Sequence, residues 1–249
     1  MSEASALLAG LAAQLPVRLQ SYALAGRTAG LVIVHEVNGF CTVGAGNLAP
    51  REPNAQISRM VAETDRLARA FVEAKRPILA FLDTHEPDKP EPPYPPHCIR
   101  GSGEENHVPE LMWLDDCSYV TNLRTDCINC YVGATEASYL GGGHGQTHNK
   151  VVDWVKAHRL DSIVTVGICT DICVLDFVAT MLSVRNHGLT PTLEDVVVYE
   201  PGCSTYDLPL AATAELGLPP TAAHPQAPTH HIGLYIMAGR GAVLASELG

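Results

Sequence analysis

A doubly wound, mostly parallel α/β sheet with helices on both faces is the fold this sequence predicts, on three observations. Continuous β-branched and apolar runs recur along the chain, at Leu31 to Val34, Pro77 to Leu82, Ser162 to Val166 and Val196 to Tyr199. Runs without polar alternation mark strands buried on both faces, the habit of parallel sheets. Amphipathic helical patterns separate these runs, and no internal repeat or linker divides the chain. Strands alternating with helices then give one doubly wound domain over residues 1–249.

The 249 residues suit a single large domain with a substantial core. A formal net charge of −11 and a pI near 5.4 argue against a nucleic-acid or anionic-membrane surface, so the expected partner is a small molecule. Eight cysteines without a signal-peptide pattern point to free thiols in a reducing compartment, the cytoplasm. No apolar run approaches the roughly 20 residues of a membrane span. The first 27 residues hold Glu3 as their only acid beside Arg18 and Arg27, and read as an N-terminal helix and connector.

In chain order, Leu31 to Val34 is a central strand followed by a long loop with Asn38, Gly39, Gly44, Gly46, Pro50 and Pro53. Ligands in open α/β sheets bind at such carboxyl ends. Ile57, Val61, Leu67, Ala68 and Phe71, interleaved with Glu63, Asp65, Arg66 and Glu73, form an amphipathic helix with Asn54 as N-cap. After the second strand, Glu86 to Gly103 is a loop with six prolines, too long for a simple connection and expected to carry function. Leu111 to Asp116 reads as a short helical piece and Ser118 to Leu123 as a short strand. Residues 141–148 read as a flexible insertion, with His144 and His148 solvated rather than metal-bound. Helices follow at Val151 to Arg159, Asp171 to His187, Asp207 to Leu216 and Pro225 to Met237, the last carrying His230 and His231 on its face.

Two constellations carry chemistry. Gly167 to Val174 reads as a strand-to-helix turn that puts Cys173 in the first helical turn, where unpaired N–H groups and the helix dipole lower a thiol's pKa and can hold an oxyanion. Cys173 is thus a candidate nucleophile, although the octapeptide alone equally allows Cys169 and Cys173 to be ordinary buried residues. Asp83 and His85 are two apart at the end of the second strand, so the pleat points both to one side. With His97 of the proline-rich loop they make a carboxylate and two imidazoles suited to a divalent ion, zinc first and manganese or iron as alternatives.

Together, Gly39 to Gly44, Asp83 to His85 with Pro95 to Cys98, Asp126 to Asn129, Gly167 to Val174 and Arg185 to Gly188 resemble the isochorismatase-like cysteine hydrolases, and within them the plant-type nicotinamidases. The resemblance runs from about Gly30 to Gly241. It implies hydrolysis of nicotinamide to nicotinate and ammonia through a cysteine acyl-enzyme, a step of NAD salvage, with a metal holding the ring nitrogen. It places the nucleophile on Cys173 and the oxyanion hole on the backbone N–H groups of Cys169 and Cys173, with a cis Ile168–Cys169 peptide. The metal ligands fall on Asp83, His85 and His97, and the aromatics flanking the pyridine on Phe40 and Tyr131. Relatives of this kind commonly form homo-oligomers.

The chain departs from that pattern at the other two triad positions. His35 stands where the family has its general-base aspartate, and Thr125 where it has a lysine. Losing both together avoids the roughly 3–5 kcal/mol cost of an uncompensated buried charge. Glu36 and Arg124 are each one residue out of phase to substitute. An imidazole can take a thiol proton without a lysine to balance it, so the expected arrangement is a Cys173–His35 dyad with weak amidase activity. The alternatives are a catalytically inactive relative serving as a ligand-binding or interaction module, and a sibling chemistry on the same scaffold.

Overall fold

The computed structural model describes residues 3–89, 91–140 and 144–249. Among them the strands are β1 (Gln20–Tyr22), β2 (Ala29–Val34), β3 (Ile78–Asp83), β4 (Val120–Thr125), β5 (Thr135–Leu140), β6 (His144–Asn149), β7 (Ser162–Ile168), β8 (Asp195–Ser204) and β9 (Val243–Leu248). Seven form one sheet in the order β1-β9-β8-β7-β2-β3-β4, with every neighbouring pair parallel. The helices are α1 (Glu3–Gln14), α2 (Asn38–Cys41), α3 (Ala55–Glu73), α4 (Cys130–Gly133), α5 (Lys150–Ala157), α6 (Cys173–Asn186), α7 (Leu210–Glu215) and α8 (Gln226–Gly239), with 3-10 turns at Pro109–Asp116 and Pro220–Ala222.

The period-2 pleat divides the core between the two faces of the sheet. Val32 and Val34 of β2 and Leu79 and Phe81 of β3 pack with α5, α6 and α8. Leu31, Ile33, Ile78 and Ala80 pack with Ile57, Met60, Val61 and Phe71 of α3. All six residues of β2 and of β3 are buried, as runs without polar alternation require. The chain winds from β2 to β3 and β4 on one side and returns to β7, β8 and β9 on the other. A switch point therefore lies between β2 and β7, whose carboxyl ends open onto one crevice.

That pairing has a steric condition at its end. Gly167 sits opposite Val34 with φ +125°, and a Cβ there would overlap the Val34 carbonyl. Only glycine meets both demands. The strand reaches Ile168, two residues past the sequence expectation, because these last residues still pair with Cys203 and Ser204 of β8.

Other segments differ from the sequence reading. The connector within residues 1–27 contains β1, which adds an edge strand beside β9. Of the insertion expected at 141–148, Gly141–Gly143 lie outside the described residues, and His144–Asn149 is a strand paired antiparallel with β5. Cross-strand pairing supplies order that a glycine-rich composition does not reveal. His148 faces Glu136 in that register, with Nε2 3.3 Å from Oε2, so it has an acidic partner after all. His230 is buried rather than on an open helix face, and His231 Nε2 donates to Leu15 O at 2.8 Å, tying α8 to the end of α1. No helix among the described residues is long and apolar enough to cross a membrane.

The N-cap at Asn54 forms as read from the sequence. Its Oδ1 accepts from Gln56 N and Ile57 N, both at 3.0 Å, and also receives Gln226 Nε2 from the start of α8. Asn54→Ala should therefore cost about 1–2 kcal/mol, measured as a lower urea midpoint at unchanged m-value, whereas Asn54→Asp should keep most of it.

Candidate active site

The crevice at the carboxyl ends of β2, β3, β4 and β7 gathers nearly every residue singled out in the sequence. His35 follows β2 with φ +54°, and its backbone N–H donates to Phe81 O. This left-handed step sends His35 and Glu36 to different sides. Glu36 turns toward α3, where Thr64 Oγ1 donates to its Oε1 at 2.6 Å and burial pushes its carboxyl well up, so it is held neutral away from the crevice.

His35 is buried, and desolvation lowers its pKa, so the imidazole is uncharged. Its Nε2 lies 3.3 Å from Cys130 Sγ and 3.5 Å from Thr125 Oγ1. His35 and Thr125, the two positions expected to depart from the family pattern, thus face each other. Thr125 ends β4 and packs where Gly133 leaves no Cβ in its way. Cys130 opens α4, held by the Asn129 side chain, which accepts from Tyr131 N and Val132 N and donates to Thr180 Oγ1 on α6. Among the described residues no hydrogen bond joins His35 to Cys173. The expected dyad partner is instead in contact with a different thiol.

Cys173 is the first residue of α6, and Ile172 provides no side-chain cap, so the helix N-terminus keeps free donors. The N–H groups of Cys169 and Cys173 make no turn or cap hydrogen bond to another backbone group among the described residues. The Cys169 N–H instead points at the Cys173 sulfur and favours its thiolate. Burial outweighs that help, together with the neighbouring thiols Cys169 and Cys130 and the Asp83 carboxylate, and the Cys173 thiol is pushed well up. The candidate nucleophile is therefore a neutral thiol. The Ile168–Cys169 peptide is cis.

Asp83, His85 and His97 converge as a buried trio. Asp83 Oδ1 lies 3.2 Å from His85 Nε2 and Asp83 Oδ2 3.3 Å from His97 Nε2. Burial opposes ionisation of Asp83, but the two imidazoles beside it prevail and hold its carboxyl below the usual range. The Asp83 carboxylate beside it raises His85, and for His97 the same carboxylate overcomes burial. His97 Nδ1 donates to Pro95 O at 2.8 Å, which leaves Nε2 free as a ligand. Asp83 Oδ2 and His85 Nε2 are buried without a geometrically satisfied hydrogen bond, the signature of donors awaiting an ion. The donor set fits a divalent transition ion.

Three residues were not singled out by sequence reasoning. Glu91 Oε2 lies 3.7 Å from the Nε2 atoms of both His85 and His97, a second carboxylate beside the trio, and its Oε1 accepts from Ile128 N at 2.9 Å. Its place in the proline-rich loop was the available signal. Tyr94 and Tyr206 are electrostatically coupled to Cys169, and Tyr94 also to Cys173, so both rings stand close to the nucleophile turn. Of the two expected aromatics, Phe40 sits with its ring centroid 6.2 Å from His35 and 5.6 Å from His97. Tyr131 is half-buried on α4 beside Cys130, against the core under α6.

Comparison with known proteins identifies the family and the fold. Residues 29–217 match the family model of the isochorismatase domain. Over 237 residues, covering 94% of this chain and 93% of the relative, the sequence is 51% identical to Nicotinamidase 1 of Arabidopsis thaliana. Among solved structures, a nicotinamidase from Bacillus subtilis superposes with a TM-score of 0.62 at 16% identity, covering 88% of this chain and 99% of that one. An N-carbamoylsarcosine amidase from Thermoplasma acidophilum gives 0.57 at 18% identity, covering 87% and 95%. At such identities these structures speak for the fold, and the family model and the plant relative for descent: the chain belongs to the isochorismatase family.

Proposed function

We propose that this protein is an amidohydrolase of the nicotinamidase type, converting nicotinamide and water to nicotinate and ammonia through a thioester on Cys173. The observation that carries the reading is the likeness to a plant nicotinamidase along 94% of the chain, turn and metal trio included in its span. The reading places the reaction in NAD salvage, with a small carboxamide as substrate and a homo-oligomeric protein in the cytoplasm.

In this mechanism the Cys173 sulfur attacks the carboxamide carbon, and the new oxyanion lies against the Cys169 and Cys173 N–H groups, neither of which is tied to another backbone group among the described residues and the first of which turns from the sulfur to the oxyanion as the bond forms. His35 takes the thiol proton. Its Nε2 is committed to Thr125 and Cys130, whereas Nδ1 is buried and unpartnered, so Nδ1 is the accepting atom and one water bridges the gap to sulfur. The proton passes from His35 to the amide nitrogen, the C–N bond breaks and ammonia leaves. Water then adds to the thioester with its proton on His35, and nicotinate departs as the thiol reforms. Asp83, His85 and His97 would hold a divalent ion, zinc before manganese or iron, which would supply Lewis-acid chemistry to the bound ring. Phe40 and Tyr131 flank the ring.

The cost of the altered triad is rate. Burial raises the thiol and lowers the imidazole, so proton transfer between them runs uphill. A second reading, an inactive module that binds ligand or partner, is favoured by one observation: His35 faces Cys130 rather than Cys173.

Ammonia release from nicotinamide separates the two. The natural protein should turn over slowly, Cys173→Ala should fall to background, and His35→Asp combined with Thr125→Lys should raise kcat/KM by roughly 10²–10⁴-fold. An inert natural protein with an active double variant would support the module instead. Elemental analysis tests the metal trio. Asp83→Ala or His97→Ala should drop metal content from near stoichiometric to a small fraction. Because Asp83 raises both imidazoles, protons compete with the ion, and its apparent affinity should climb as pH rises from about 5 to 8.

A further inference from the structure

The nucleophile turn is held from behind by the segment that begins α8. His224 Nε2 lies 2.8 Å from Asp171 Oδ2, and His224 Nδ1 lies 2.9 Å from Tyr206 O. Both partners are acceptors only, a carboxylate and a carbonyl, so both ring nitrogens must carry hydrogen for the two bonds to exist together. The neutral ring would set one lone pair against another. The geometry is that of an imidazolium. The Tyr206 ring stacks on it at 3.8 Å between centroids and an interplanar angle of 13°. One turn further along α8, the Thr170 hydroxyl lies between His230 Nδ1 at 2.7 Å and Ser204 O at 3.0 Å. At Gly233 a Cβ would stand 2.8 Å from the Asp171 Cα, so the helix abuts the turn directly. Thr170 and Asp171 are therefore gripped by α8 between Cys169 and Cys173, the two residues whose N–H groups the amidase reading assigns to the oxyanion.

We propose that His224 and Asp171 are positioning residues, an imidazolium–carboxylate pair that keeps the Cys169–Cys173 turn in register, so that the oxyanion donors are aligned only while His224 is protonated. For its catalytic consequence this rests on the amidase reading above; the structural coupling does not.

The titratable surroundings are few. From the turn, His224 faces Asp171; from the segment after β8, Tyr206; from α8, the uncharged Thr229 at 3.4 Å. Asp171 in turn faces Cys169, Tyr94 and Tyr206. Burial pushes Cys169 up to about 12 and raises both tyrosines, so these three stay neutral through the range of interest. Asp207 accepts from Gln226 N, and Glu200 is tied to Arg59 and His230, neither bonded to His224. Burial would lower His224, but Asp171 outweighs it and raises its pKa above the ordinary value of about 6.5, while Asp171 is held low mainly by His224 against its own burial. The sign follows: the raised imidazole pairs fully at lower pH, and the pair is lost as pH rises through the folded value.

The test is a pH titration of isotope-labelled protein by NMR, following the His224 ring and the backbone amides of Cys169 and Cys173. The His224 midpoint should lie above about 6.5, and the two amides should move with that same midpoint. In Asp171→Asn the His224 midpoint should fall, and in His224→Gln the amide titration should vanish. In the amidase assay, His224→Gln should lower kcat about tenfold to hundredfold at little change in KM and remove the alkaline fall of kcat. A His224 midpoint below the ordinary value, or amides that stay still through the titration, overturns the proposal. So does a His224→Gln enzyme with the kcat and alkaline limb of the natural one. If no ammonia is released at all, the amidase reading fails while the NMR arm still decides the coupling.

Discussion

The parallel pairing of β2 with β7 is the constraint on which the rest of this molecule depends. Six rungs join the strands, and the last sets Gly167 against Val34 so closely that no side chain fits. Past that rung both chains leave the sheet at once, β2 through the left-handed step at His35 and β7 through the turn that ends at Cys173. The hydrophobic layers on the two faces hold the strands in this register, and the register in turn fixes how far the imidazole and the thiol stand from one another. Function is built on the ends of the same elements that form the core.

What stands between those ends is a neutral assembly. His35, Thr125 and Cys130 meet at 3.3–3.5 Å with no formal charge among them, close enough to the polar trio of Asp83, His85 and His97 for those groups to act on the His35 imidazole. A buried carboxylate with a buried ammonium is tolerable only as a pair, and two uncharged side chains meeting at the same place avoid the desolvation of both. The consequence is electrostatic rather than structural. Among the described residues no cation stands among the groups that act on the Cys173 thiol, and the helix N-terminus with the Cys169 N–H is its main support.

The sheet was legible because its strands are buried on both faces and spell continuous apolar runs, and α3 because its stripe and its Asn54 cap agree. The trio of Asp83, His85 and His97 was legible from pleat spacing joined to an unusually long proline-rich loop. The short β1 and the β5–β6 hairpin were not, since an edge strand of three residues and a hairpin of mixed polarity exist through their pairing partners. Glu91 was missed for the same kind of reason. Nothing in local sequence separates a loop carboxylate that turns inward from one that faces water.

By itself, then, the sequence determined the parallel α/β order and the position of the Cys173 thiol at a helix start, both of which are written in residue types and spacings along one segment. Tertiary structure alone decided which thiol His35 faces, that Thr64 is the partner that holds Glu36, and that α8 closes on the Cys169–Cys173 turn through His224 and Gly233. Those contacts join residues 28 to 95 positions apart. Their distances are set by the packing of whole layers, and no pattern within a single stretch of chain records them.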